Sequence, residues 1–133
     1  MIDTKIIKLA SDTKNYGLRR KSTHSALEKN KICGDKISIE LTVNKTRINS
    51  MRYETESCIY CQASASLLSK IIPTLNITNL KKDIIDLNNF LYHKDFQLPK
   101  RYKSFKPLIQ KKNKSRYQCV MLPFNALRKA LNI

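Results

Sequence analysis

The stretch Lys36-Ile37-Ser38-Ile39-Glu40-Leu41-Thr42-Val43 decides the fold. Successive side chains of an extended strand point to opposite faces, so Ile37, Ile39, Leu41 and Val43 share one side and Ser38, Glu40 and Thr42 the other. That alternation predicts a half-buried strand. Asn44-Lys45-Thr46 then turns the chain into residues 47–55, where Ile48, Met51 and Tyr53 keep an apolar side with one slip of the kind a β-bulge absorbs. The two runs make a hairpin. A third strand is expected within residues 25–30, which places Cys33 at a strand-to-strand turn where Gly34 relaxes the backbone.

Beyond Cys58 the period changes. Ala63, Leu67, Leu68, Ile71 and Ile72 recur at helical spacing until Pro73 stops the run, so Cys58 sits at a strand-to-helix junction. Thr78 is the expected N-cap of a second helix whose Leu80, Ile84, Leu87 and Leu91 form a stripe that should cover the sheet. Tyr102, Phe105, Leu108 and Ile109 suggest a further helix around Pro107, followed by a loop Lys111-Lys112-Asn113-Lys114-Ser115. Pro123 suits the first turn of a terminal helix carrying Phe124, Leu127, Ala130 and Leu131, which leaves Cys119 just before it or in a short preceding turn. Near the N-terminus, Ile6, Ile7, Leu9 and Ala10 point to a short helix ended by Asn15-Tyr16-Gly17.

A length of 133 residues with 41% apolar content allows one domain, residues 1–133, with a core that needs no disulfides. Four irregularly spaced cysteines argue for a reducing compartment. The opening Met1-Ile2-Asp3-Thr4-Lys5 places an acid early and no sustained apolar stretch follows, so a soluble, cytoplasmic protein with no membrane partner is expected.

Cys33, Cys58 and Cys119 lie far apart, and only a folded domain can bring such thiols to one point. Thiol pKa values fall at helix N-termini and beside cations, which describes Cys58 by position and Cys119 by its neighbours Lys114 and Arg116. Gly34 permits a turn that aims Asp35 at the same point, completing a set of three thiolates and one carboxylate suited to zinc or an exposed iron-sulfur unit. Taken singly, each thiol is better explained by packing as a small buried hydrophobe than by ligation, and it is their joint context that favours a site. Cys61, three residues beyond Cys58, has three options open: approaching the metal, forming a reversible disulfide with Cys58, or facing the core. A core position is the expectation. His24 and His93 are not at ligand spacing and receive no role. There is no Gly-rich phosphate loop, nucleophile elbow or metalloprotease helix.

Three pieces together, Cys33-Gly34-Asp35, Ser57-Cys58 followed by Gln62-Ala63-Ser64-Ala65-Ser66, and Cys119 followed by Leu122-Pro123-Phe124-Asn125-Ala126-Leu127, resemble the iron-sulfur cluster assembly scaffold family of IscU, the NifU N-terminal domain and SufU. The Gln62-to-Ser66 wording and the long interval before Cys119 look most like the SufU branch. The Leu-Pro-Pro-Val-Lys segment of IscU is absent, and Gln118 stands where IscU carries His. Cys61 occupies a position where relatives commonly have Ser.

The resemblance implies an α+β fold, a small antiparallel three-stranded sheet with helices packed on it, and a site of Cys33, Asp35, Cys58 and Cys119 that holds zinc or builds a transient [2Fe-2S] cluster. It implies a pyridoxal-phosphate-dependent cysteine desulfurase as sulfur donor and apo iron-sulfur proteins or downstream carriers as recipients. On that analogy the sulfur-accepting thiol is Cys33, with Cys119 the alternative, and the chain is a scaffold or sulfur-relay protein rather than a classical enzyme. The net charge of +16, with no Asp or Glu in residues 96–133, motivates a different reading: a zinc-containing basic module that binds nucleic acid. The scaffold reading leads, and nucleic acid is not the expected partner.

Overall fold

The computed structural model describes residues 3–93 and 97–133. The opening Met1 and Ile2, and the start of the acid-free segment at Phe96, lie outside them. Three strands, β1 (His24–Lys29), β2 (Lys36–Asn44) and β3 (Arg47–Glu56), form one antiparallel sheet in the order β1-β2-β3. The alternation quoted above becomes burial, since Ile37, Ile39 and Leu41 are essentially inaccessible. Val43 is only partly covered, at the end where β2 leaves the core. The slip in β3 is a bulge: Thr42 pairs with Ser50 and Val43 with Ile48, so Asn49 is the extra residue that keeps Ile48 and Met51 on the same inner face.

The outer face is not all solvent. Glu40 is buried because residues 15–23 cross over it, and its carboxylate accepts from the backbone N–H groups of Arg19 (2.8 Å) and Arg20 (3.0 Å). Arg20 takes a left-handed φ of 57° to make that approach. The expected helix end at Asn15-Tyr16-Gly17 is therefore corrected. Helix α1 (Thr4–Ser11) starts at Asp3, which caps Lys5 N–H at 2.8 Å, and stops before Asp12. Gly17 N–H then donates to Tyr53 O at 2.8 Å, so this segment satisfies its backbone on β3 rather than on itself.

Helix α2 (Ile59–Ile71) is buried on almost every side, which its small residues permit: Ala63, Ser64, Ala65 and Ser66 let α1, β3 and the terminal helix approach closely. Ser64 Oγ donates to Val120 O at 2.6 Å, tying α2 to that helix. Pro73 ends α2 through a 3-10 turn, Ile72–Thr74.

In α3 (Ile77–Tyr92) the stripe Leu80, Ile84, Leu87 and Leu91 is buried as patterned, but two details differ. The N-cap is Asn76, whose side chain accepts from Thr78 N–H at 2.9 Å, and the helix leans on the terminal helix, not on the strands. The strands are already covered by α2 and the terminal helix, leaving α3 an outer layer.

The expected helix around Pro107 is a 3-10 segment, Lys100–Leu108. Tyr102, Phe105 and Leu108 recur every three residues, which is the 3-10 period, so they stack in line on one face where an α-helix would fan them over about 120°. The expected loop after it is a second 3-10 piece, Lys111–Arg116, anchored by buried Asn113. The terminal helix α4 (Tyr117–Leu131) begins six residues earlier than Pro123 suggested. Pro123 lies within it, so Cys119 belongs to its first turn, and the proline withholds the N–H that would have bonded the Cys119 carbonyl.

Candidate metal and sulfur site

The register of the sheet builds the site. Lys36 pairs with Glu56, so the next residues outward, Asp35 and Ser57-Cys58, leave the same end of the sheet side by side. Cys58 is the N-cap of α2, in extended conformation, and its N–H donates to Asp35 Oδ1 at 3.3 Å. The β1–β2 loop closes with Gly34 N–H to Asn30 O and Asn30 N–H to Asp35 O, both 2.8 Å. Gly34 takes φ +76°, the left-handed geometry that returns the chain between Cys33 and Asp35. The first turn of α4 then carries Cys119 to the same place.

The ligand atoms of Cys33, Asp35 and Cys119 all lie within 4.8 Å of one another. Cys58 falls outside that mutual set but meets it through Cys119, whose thiol is its side-chain hydrogen-bond partner. Cys33 is exposed, Cys58 half-buried, and Asp35 and Cys119 are buried, so the cluster opens to solvent at Cys33. Asp35 Oδ2 is the buried side-chain oxygen without a hydrogen-bond partner among the described residues. A buried, unpartnered carboxylate oxygen is costly unless a cation or donor is to fill the place.

The thiols are not equivalent. The Cys119 hydrogen bond, helped by the N–H groups of Tyr60 and Cys61 at the start of α2, lowers the Cys58 pKa from 9.0 to about 7. Cys119 moves the other way: donating to Cys58, being buried, and facing the Asp35 carboxylate all keep its proton on. That corrects the expectation drawn from Lys114 and Arg116, since the Arg116 guanidinium instead lies over the Tyr60 ring at 5.8 Å. Cys61 is fully buried and its thiol is pushed up to about 12 by desolvation.

Chain periodicity could not reveal the polar groups that support this arrangement. Tyr60 Oη donates to Asn113 Oδ1 at 3.2 Å, joining the start of α2 to the segment preceding α4. Asn113 had no signal beyond its place in a lysine-rich loop. Farther off, Asp83 accepts from Arg101 Nε (2.9 Å) and Tyr102 Oη (3.0 Å), which moors the 3-10 segment to α3.

Residues 1–132 match the NifU-like N terminal domain family. The chain belongs to that family. This is the iron-sulfur assembly scaffold family that the cysteine motifs resemble.

Two solved structures share the fold closely. One is a nitrogen-fixing NifU-like protein (N-terminal) from Brucella abortus, 18% identical over 98% of this chain and 91% of that one, with a TM-score of 0.82. The other, from Fervidobacterium islandicum AW-1, is described as a candidate iron-sulfur cluster assembly scaffold for the SUF system. It is 20% identical over 97% of this chain and 95% of that one, with a TM-score of 0.85. A hypothetical protein of known structure follows at 18% identity and a TM-score of 0.70, with 98% of each chain covered. None of the curated proteins matches significantly. Among the described residues no helix is long and apolar enough to cross a membrane.

Proposed function

We propose that this protein, as one NifU-N/SufU-like domain of residues 1–133 working in the cytoplasm, is a sulfur-accepting scaffold in iron-sulfur cluster assembly. The observation that carries the reading is the convergence of Cys33, Asp35 and Cys119 within 4.8 Å, with Cys58 coupled to Cys119 and Asp35 Oδ2 left without a partner. Such a donor set fits zinc, which favours thiolates and tolerates a carboxylate, and it fits the iron of an exposed [2Fe-2S] unit, here cargo under construction. Cys33, Asp35, Cys58 and Cys119 would hold either one. Bound zinc would supply charge that keeps thiols deprotonated at neutral pH.

Cys33 is the exposed thiol of the set and takes the sulfur. Its thiolate attacks the terminal sulfur of a persulfide on a pyridoxal-phosphate-dependent cysteine desulfurase. The donor's S–S bond breaks, the donor cysteine leaves as a thiolate, and Cys33 carries the persulfide. Cys119 is the alternative acceptor, but its burial leaves it less open to an incoming chain. A groove of about 410 Å³ runs beside the Cys33 loop, lined by Ile32, Tyr92, Gln118 and Leu122 among others, and offers a donor loop a place to rest. Apo iron-sulfur proteins or downstream carriers would receive the product.

Tyr102, Phe105 and Tyr117, the aromatics of the acid-free segment, are buried, so that segment offers bases no stacking platform. The scaffold reading is tested by anaerobic reconstitution with iron and sulfide, followed by transfer to an apo-acceptor. A visible absorption band that moves to the acceptor supports cluster building. Tight zinc with stimulation of a desulfurase supports sulfur relay. In protein purified without chelator, Cys33→Ala and Cys58→Ala should each lose metal, and unchanged metal content in both would overturn the ligand set.

A further inference from the structure

The scaffold reading leaves Cys61 without a task. Cys58 is the N-cap of α2 and Cys61 its third residue, the two positions whose side chains face each other across the first helical turn in a capping box. Cys58 has the extended backbone of an N-cap (φ −70°, ψ 167°), one helical turn before Cys61. Cys61 is fully buried on the same first turn of α2 that Cys58 caps, and Cys58 N–H donates to Asp35, so the turn carrying Cys61 abuts the site. Burial closes it to external thiols but not to a sulfur one turn away. Cys-x-x-Cys at a helix start is an arrangement in which reversible disulfides form.

We propose that Cys58 and Cys61 form a dithiol that reduces sulfane sulfur to sulfide within this chain, with Cys61 as the resolving thiol. The proposal rests on the reading that the chain accepts persulfide sulfur. Sulfur on Cys33 first moves by exchange: the Cys58 thiolate attacks the terminal sulfur, the bond to Cys33 breaks, and Cys33 leaves as a thiolate. The Cys61 sulfur, giving up its proton, then attacks the Cys58 sulfur. The bond to the terminal sulfur breaks and that atom departs with the electron pair as hydrosulfide, which takes up the proton as hydrogen sulfide. Two thiols lose two electrons and become a disulfide; one sulfane sulfur gains two and becomes sulfide, the oxidation level a cluster contains. A dithiol reductant restores the pair before the next sulfur.

The test loads the metal-free, reduced full-length chain anaerobically with glutathione persulfide, removes unreacted donor, and follows released sulfide and intact mass. The unmodified chain should release about one sulfide per chain and end with a Cys58–Cys61 disulfide, located by peptide mass spectrometry. Cys61→Ser should keep the mass of one added sulfur atom and release little sulfide. Equal release from Cys61→Ser, or a disulfide joining Cys58 to Cys33 or Cys119 in the unmodified chain, overturns the dithiol. If both chains simply retain sulfur, the dithiol falls and the acceptor reading stands. If neither gains sulfur nor releases sulfide, the acceptor reading fails and this proposal with it. The disulfide map comes from the unmodified chain, so a folding defect in Cys61→Ser cannot decide the outcome.

Discussion

Cys58 N–H donates to Asp35 Oδ1 at 3.3 Å while Oδ2 is buried with no partner among the described residues, in a carboxylate with an oxygen within 4.8 Å of the Cys33 and Cys119 sulfurs. Asp35→Asn keeps the first bond and removes the buried charge. The metal-free variant should keep the parent's stability to within about 1 kcal/mol, because the amide nitrogen is left as buried and unpartnered as the oxygen it replaces. Zinc affinity should fall roughly tenfold or more, the size of loss seen on disturbing groups around a metal. Urea titration and competition with a chromophoric chelator read the two quantities. A variant less stable and equally tight for zinc would mean that Oδ2 does not face the cation.

The lowered Cys58 pKa makes a prediction about pH. In the metal-free protein, alkylation of Cys58 should rise as pH passes through about 7, because the thiolate is the reacting form. Cys119→Ala removes the hydrogen bond that is the largest cause of the lowering, so the midpoint should move upward toward the ordinary thiol range. Mass-resolved labelling with iodoacetamide across pH measures both. Coincident profiles in the two proteins would sever the link between these thiols.

Gly34 has φ +76° and open space where a Cβ would stand, so Gly34→Ala meets backbone strain and no clash. A cost of about 1–2 kcal/mol follows from forcing an L-residue into the left-handed region. The loop carrying Cys33 and Asp35 should relax away from that geometry, and metal affinity should fall with it. Gly34→Asn should be milder on both counts, since Asn tolerates this conformation better than Ala. Stability equal to the parent in Gly34→Ala would show that the turn can be made another way.

Asp83→Ala should destabilise the fold by about 1–3 kcal/mol, chiefly by leaving the buried Tyr102 hydroxyl without its acceptor. Arg101 is half exposed and recovers water, so its share is small. A urea midpoint within error of the parent would count against this mooring.

The strands were legible because their signal is local. Ile37, Ile39 and Leu41 alternate, Gly34 marks the loop before them, and the slip between Ile48 and Met51 announces the bulge at Asn49. The convergence of distant cysteines was legible only as a motif, since no periodicity says that Cys119 will land beside Cys33. The C-terminal third misled for a physical reason: Pro123 reads as a helix start, yet α4 begins at Tyr117 and tolerates the proline internally. The thiol at position 119 illustrates the limit of neighbour-based electrostatics. Arg116 is three residues away in the chain and stacks on Tyr60, whereas Asp35, remote in the chain, is within reach.

Cys119 arrives on α4, about sixty residues after Cys58 and later still than Cys33, so the thiols proposed to share one site emerge from the ribosome at different times. A nascent chain therefore spends time with these thiols apart, and on the proposed reading a shared ion could be held only once α4 has docked. Pulsed thiol labelling during refolding would register this as late protection of Cys119, the buried thiol of the set. Protection of Cys119 in the earliest phase would mean instead that α4 docks as soon as the chain collapses.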